Sequence, residues 1–246
     1  MSLAPSILFH IGSFPVTNTL ITTLVVDVII IALVIAFRAG LSLYPQKLQN
    51  ALEMMYEYFY NSTKDVSSKV TIIYPWVITF FLFIVIANLL GQFPGFETIR
   101  FHAAGSGEEG FPLFRTATSD LNVTLAFATI SIFMCHFYSI KCTGIKSYIS
   151  RFVTFKMFPI FLFVGILEFI GEFTKVISLS CRLFGNLFAG ESVMGTISSM
   201  SLFGIPLPFF CVPIPFMMLE LMVAVIQAIV FAMLTMTFMS IMTEKH

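Results

Sequence analysis

The residues that could carry chemistry in this chain are ionisable side chains inside apolar segments. The stretch SLSCRLFGNLFAGE, residues 178–191, places Arg182, Asn186 and Glu191 in a sequence otherwise suited to lipid or a packed core. An ionisable group at the centre of a bilayer costs at least about 2.5–3.5 kcal/mol, so such groups usually mark a path for ions or protons. This stretch therefore indicates ion or proton transport.

Other polar side chains accompany this stretch in the last two apolar segments: Glu168, Glu172, Lys175, Ser178, Glu220 and Gln227. The spacing of the first three, at i, i+4 and i+7, lets them pair on one helix face. They are therefore either a structural pair network near the cytoplasmic interface or part of the path. His136, in the third apolar segment, is expected to be a hydrogen-bonded bystander.

Arg182 has no acidic residue three or four positions away, and a guanidinium stays protonated in proteins. Glu191 lies nine residues further on, which places it on the opposite side of a helix and roughly 13 Å further along its axis. The two therefore cannot pair within a straight helix. Glu220 and Gln227, seven residues apart, fall on one face of the last helix at depths that differ by roughly 10 Å.

Composition assigns the chain to the membrane. Hydrophobic residues make up 58% of the 246 residues and charged residues only 11%, whereas soluble domains carry about a quarter charged residues. There is no basic stripe for nucleic acid and no glycine-rich loop for a phosphate. We therefore expect an integral membrane protein that needs no cofactor, binds no nucleic acid and is not itself an enzyme.

The predicted fold is an all-α polytopic membrane protein that forms one domain over residues 1–246. Runs long enough to span a bilayer predict five membrane helices, at about 20–37, 72–90, 121–140, 157–203 and 216–242. The last two are long, and we expect them to be strongly tilted. Residues 46–69 instead have the spacing of an amphipathic helix at the membrane surface.

The distribution of lysine and arginine predicts the orientation. With the N-terminus outside and the C-terminus in the cytoplasm, the external loops hold only Arg100 and Arg115. The cytoplasmic segments then hold Arg38, Lys47, Lys64, Lys69, Lys141, Lys146, Arg151, Lys156 and Lys245. We expect a bacterial plasma membrane, with an organellar inner membrane as the alternative.

The stretch at residues 178–191 resembles the signature of subunit a of F-type ATP synthases, the membrane stator that conducts protons beside the rotating c ring. The family pattern is a lysine, Ser-Leu, Arg-Leu-Phe-Gly-Asn, two small residues and an acid or histidine. The matching residues here are Lys175, Ser178, Arg182, Leu183, Phe184, Gly185, Asn186, Ala189, Gly190 and Glu191. FHIGSFPVTNTLITT (9–23), TSDLNVTLAFA (118–128) and ELMVAVIQAIVFAMLT (220–235) resemble other family segments in the expected order.

The resemblance implies a role for each matching residue. Arg182 would face the carboxylates of the c ring, with Asn186 and Gln227 beside it. Glu191 and Glu220 would line the half-channel from the outside, with Asp120 and Asn122 near its mouth, and Glu168, Lys175 and Ser178 would lie towards the inner half-channel. The implied partners are the c ring, the b-subunit peripheral stalk, the rest of F1Fo and the lipid bilayer, and the implied ion is H+ rather than Na+.

Two positions depart from the family pattern. Val176 stands where a proline often follows the lysine, and both Glu191 and Glu220 are acids where the family commonly pairs a glutamate with a histidine. Two neighbouring carboxylates would share protons.

Two other classes of membrane protein are alternatives for this sequence. A proton-coupled secondary transporter would use Arg182 as an anion site, but it predicts internal repeats in the two halves of the chain, and none is seen. A structural membrane scaffold gives no reason for Arg182, Glu191 and Gln227.

Overall fold

Helices dominate the computed structural model, which describes residues 6–41, 47–93, 100–101, 111–145, 147–148, 160–202, 205–206 and 213–244. Within these ranges lie six long helices: α1 (Asn18–Ala39), α2 (Lys47–Val66), α3 (Val70–Gly91), α4 (Leu121–Thr143), α5 (Ile160–Ser199) and α6 (Pro213–Thr243). The all-α prediction is confirmed, and every described helix end lies within four residues of its predicted position. The predicted helix positions 46, 157–159 and 203 lie outside the described residues.

Short antiparallel strand pairs, which the sequence did not predict, lie before α1, between α3 and α4, and between α5 and α6. They are β1 (Ile7–Ile11) with β2 (Phe14–Thr17), β3 (Arg100–Phe101) with β4 (Phe111–Pro112), and β5 (Ser201–Leu202) with β6 (Ile205–Pro206). The β1–β2 pair turns through Gly12, whose φ of 62° is a conformation that glycine adopts without steric cost. These pairs are too short to change the fold class.

Four helices, α1, α3, α4 and α6, are long and apolar enough to cross a membrane. Large apolar side chains are exposed along α1, including Val28 at 65% and Ile35 at 63%, as expected for a helix that faces lipid. The longest helix, α5, has 40 residues, or roughly 60 Å at 1.5 Å per residue. The chain is an integral, polytopic membrane protein, and the count of five crossings stays a prediction.

Local sequence signals set the helix ends. The Thr17 hydroxyl accepts a hydrogen bond from the Leu20 N–H at the start of α1, and the Gly40 N–H donates to the Ala36 and Phe37 carbonyls at its end. These contacts satisfy groups that have no partner inside the helix. The first helical residue of α6 is Pro213, a position where the missing N–H costs nothing.

The chain divides into two compact units. Unit 1 comprises Met1–Gly40, Leu82–Thr124 and Leu183–Ile229, and unit 2 comprises Leu41–Phe81, Leu125–Arg182 and Val230–His246. Long helices contribute to both, and the prediction of one domain stays a prediction.

Unit 1 is built around polar contacts as well as apolar ones. Its buried apolar residues include Val26, Ile84, Leu183 and Leu187. Fully buried Asn88 on α3 donates to the Ala224 carbonyl on α6 at 3.2 Å and accepts a hydrogen bond from the Thr118 hydroxyl at 2.6 Å. Because these groups are buried, each bond fixes the relative depth of the elements it joins.

Unit 2 has an aromatic and methionine core, to which α2 contributes. Phe59 of α2 is buried, and its ring centroid lies 4.5 Å from that of Phe81. Phe80 contacts Phe231 of α6, and the Ser240 hydroxyl donates to the carbonyl of Val66. Glu57, Lys64 and Asp65 are exposed elsewhere on α2, which agrees with its predicted amphipathic character.

Candidate functional site

The most unusual cation of unit 2 is Arg182 on α5. Its side chain is exposed, and it has no hydrogen-bond or ion-pair partner among the described residues. It lines a cavity of about 380 Å³ together with Lys175, Ser178, Gly171 and Phe238. An arginine that cannot lose its proton is thus presented at an open, largely apolar surface, where a carboxylate from outside the chain would be its natural partner.

Lys175 is paired. Its Nζ lies 2.8 Å from Oε1 of Glu172, which is buried, so the i, i+3 pair that the sequence allows does form. Lys175 also lies 5.1 Å from the centroid of the Phe238 ring on α6. Glu168, one turn earlier on α5, is half-buried.

His136 on α4 approaches the same carboxylate. Its Nε2 lies 3.6 Å from Oε2 of Glu172, and its Nδ1 is hydrogen-bonded to the Tyr148 hydroxyl at 3.0 Å. The expected hydrogen bond of His136 is therefore present. The contact with Glu172 could not be predicted from helical spacing, because the two residues lie on different helices.

In unit 1, Asn186 of α5 and Gln227 of α6 are joined directly. The amide Nδ2 of Asn186 donates to Oε1 of buried Gln227 at 2.9 Å. The carboxylate oxygens of half-buried Glu191 are shielded from solvent. An ideal Cβ at Gly190 would lie 2.6 Å from Oε1 of Glu220, so the absence of a side chain at Gly190 makes room for the Glu220 carboxylate.

Asp120 and Asn122 lie at the start of α4. Oδ1 of buried Asp120 accepts hydrogen bonds from the backbone N–H and Nδ2 of Asn122, at 2.9 and 3.1 Å, and Oδ2 accepts one from the Thr19 hydroxyl at 2.9 Å. This carboxylate caps the helix and ties α4 to α1. These hydrogen bonds give Asp120 a structural role at the start of α4.

Three further polar residues of unit 1 were not predicted as functional. The amide Nε2 of Gln92 donates to the main-chain carbonyl of Glu220 at 3.2 Å, which helps to position that residue, and Asn88 joins α3 to α6. Arg115, counted as a loop charge in the orientation argument, is buried, and its Nε donates to the Ser119 hydroxyl at 3.2 Å. Its burial depends on a fold between two helices, for which the sequence has no local signal.

The predicted residues therefore fall into two groups. Unit 2 holds Glu168, Lys175, Ser178 and Arg182, and unit 1 holds Asp120, Asn122, Asn186, Glu191, Glu220 and Gln227. Chemically, the first group offers a guanidinium and an ammonium group, and the second offers carboxylates, which can exchange protons, and amides, which can donate and accept hydrogen bonds.

Comparison with known proteins gives one consistent result. The family model described as "ATP synthase A chain" matches residues 19–240. A protein of Moorella thermoacetica named ATP synthase subunit a is 33% identical over 243 residues, covering 98% of each chain. A protein of the same name from Streptococcus gordonii is 34% identical, covering 90% of this chain and 90% of its own length. Another, from Buchnera aphidicola, is 29% identical, covering 82% of this chain and 73% of its own length.

Proposed function

The chain belongs to the ATP synthase A chain family, subunit a of the Fo sector, and we propose that it carries protons through two aqueous half-channels that load and unload the carboxylates of the c ring. It is a transport subunit, and the chemistry of ATP takes place elsewhere in the complex. Its proposed partners are the c ring, the b-subunit peripheral stalk and the remaining F1Fo subunits, and the proposed ion is H+.

The observation that carries this proposal is the state of Arg182. Its guanidinium is exposed and has no partner among the described residues, although it lies in an apolar chain and borders a cavity with Lys175 and Ser178. Holding such a charge within a membrane without a partner is costly. A carboxylate of the c ring that passes this surface would neutralise it, and the delocalised guanidinium can exchange one carboxylate for the next.

Glu191 and Glu220 are proposed to line the half-channel that opens to the outside. The Glu220 carboxylate reaches Gly190, the residue before Glu191, which supports placing both acids on one path. Asp120 and Asn122 are proposed to lie near the mouth of this half-channel. The excess of lysine and arginine in the segments assigned to the cytoplasm supports an outside N-terminus and a cytoplasmic C-terminus.

In the proposed mechanism, a proton enters past Glu191 and Glu220 and neutralises a ring carboxylate, which can then rotate into lipid with a small desolvation cost. After nearly a full turn, the proton leaves through the inner half-channel beside Glu168, Lys175 and Ser178. We propose that Arg182 separates the two half-channels and that Asn186 and Gln227 act together with it. A proton is worth about 2.3 kcal/mol per 100 mV, so a direct leak would waste the driving force.

Reconstitution separates this proposal from a proton-coupled transporter that uses Arg182 as an anion site. We expect vesicles with the complete complex to couple an imposed proton gradient to ATP synthesis, and vesicles with the isolated chain to move no solute against a gradient. Proton-coupled anion uptake by the isolated chain would favour the transporter instead. The measurements are ATP yield and anion uptake at the same membrane potential.

Glu220→Gln is expected to slow proton transport by about tenfold, the lower range for loss of a proton-transfer group, while the complex still assembles. Glutamine keeps the shape of the side chain and the main-chain bond from Gln92 to residue 220. The measurement is ATP-driven proton uptake into inverted vesicles over a range of pH. Glu57→Gln, at an exposed position on α2, is the matched control, and unchanged transport at every pH would remove Glu220 from the path.

A further inference from the structure

Two cavities of unit 2 are each lined by one member of the Lys175–Glu172 ion pair. The first is the Arg182 cavity, which Lys175 lines. The second has a volume of about 220 Å³ and is lined by Glu172, His136, Tyr148, Phe169 and Val176, among others. Lys175 and Glu172 are bonded to each other at 2.8 Å, so each cavity is lined by one member of the same ion pair.

We propose that Glu172 and His136 form a proton-binding site that passes protons from the Arg182 cavity into the second cavity, and so complete the inner half-channel. This proposal rests on the proposed function and extends it to two residues outside the signature stretch. His136 stands seven residues before the end of α4 at Thr143, or about 10 Å along the axis. In the predicted orientation, that end of α4 faces the cytoplasm.

The geometry suits transfer better than simple neutralisation. Lys175 already balances the charge of Glu172 through Oε1, so a structural pair would need no histidine. Oε2 of Glu172 is buried and accepts no hydrogen bond from a described residue, and Nε2 of His136 lies 3.6 Å from it. Imidazole accepts a proton at one nitrogen and releases it from the other, and Nδ1 is hydrogen-bonded to the Tyr148 hydroxyl.

The transfer proceeds in three steps. Lys175 gives a proton from Nζ to Oε1 of Glu172, and its charge is restored by the proton that a ring carboxylate releases, which water in the Arg182 cavity relays to Nζ. Rotation of the carboxyl group presents the proton to Nε2 of His136, and imidazolium and carboxylate form. His136 then releases the Nδ1 proton towards the Tyr148 hydroxyl or water in the second cavity, and the imidazole returns to its first tautomer through that water.

The described titratable groups near His136 lie on α4, on α5 and just after α4. Glu172 and Lys175 belong to α5, Tyr148 follows α4, and Cys135 on α4 interacts electrostatically with both Glu172 and Lys175. Glu168 stands one turn before Glu172 on α5. These groups also influence how the transport rate depends on pH, so the effect of a His136 substitution has to be compared with that of a Glu172 substitution.

The test uses the complete complex in inverted vesicles, with the pH of the cytoplasmic and lumenal faces varied separately. We expect His136→Gln and Glu172→Gln each to lower the initial rate of ATP-driven proton uptake at least about tenfold. We also expect them to flatten its dependence on cytoplasmic pH between about 6 and 8, while the dependence on lumenal pH is retained. His10→Gln, at an exposed position on β1, is the matched control.

Chemical rescue separates proton transfer from a structural role. In His136→Ala, added imidazole is expected to restore at least about half of the lost rate by occupying the second cavity and taking over the proton transfer. Normal rates and pH profiles in both glutamine variants would overturn the proposal, as would failure of both variants to assemble, since that would assign the residues to folding. Absence of proton-driven synthesis in the wild-type complex would instead overturn the proposed function.

Discussion

Arg182→Ala in the assembled complex is expected to abolish proton-driven ATP synthesis while passive proton leak persists or rises. Without the guanidinium, a ring carboxylate that passes α5 is no longer held ionised, and nothing repels a proton crossing directly between the half-channels. Because about 2.3 kcal/mol per 100 mV is lost with every leaked proton, coupling fails even if the ring still turns. ATP yield and the decay of an imposed gradient in the same vesicles are the measurements.

The control for this variant is Arg38→Ala, at an exposed position in the last turn of α1. It removes the same side chain and charge, and synthesis is expected to stay near the wild-type rate. Synthesis at the normal rate in Arg182→Ala would refute the assigned role. Arg182→Lys refines the test, because lysine keeps the charge but not the planar, delocalised group, and partial synthesis is expected.

Gly91→Ala is expected to destabilise the chain by about 1–3 kcal/mol through overpacking. A Cβ at this position would lie 2.7 Å or less from three side-chain atoms of Thr116. Thr116 is buried and fixed in place, since its carbonyl accepts hydrogen bonds from the Ser119 N–H and hydroxyl. A lower midpoint of thermal unfolding in detergent is the measurement.

Gly171→Ala is the matched control, because nothing lies within 4 Å of an added Cβ there. In a helix, alanine is favoured over glycine by about 0.8–1.0 kcal/mol. The unfolding midpoint of this variant should therefore equal or exceed that of the wild type. Equal midpoints for the two variants would show that Thr116 moves aside at no cost.

Residues whose partners lie nearby in the chain were predictable. The Lys175–Glu172 pair follows from the geometry of one helix, and the same geometry shows that α5 offers Arg182 no acid at helical spacing. The helices themselves follow from long apolar runs, because every backbone polar group in lipid has to be satisfied inside the helix.

Residues whose partners lie on another element were not predictable. The contact of His136 with Glu172 joins positions 36 residues apart, and burial of Arg115 depends on the segment between α3 and α4. Such contacts depend on the rotation and depth at which two helices pack. Those quantities are set by many small interactions along both surfaces.

The sequence by itself determined the membrane class, the helices and the isolation of Arg182 on its own helix, because composition and periodicity express the cost of placing polar groups in lipid. Only the tertiary structure decided which polar groups meet: Asn186 with Gln227, Glu220 with Gly190, and His136 with Glu172. The physical reason is that hydrogen bonds and ion pairs act over only a few ångströms. Packing brings residues far apart in the chain within that range.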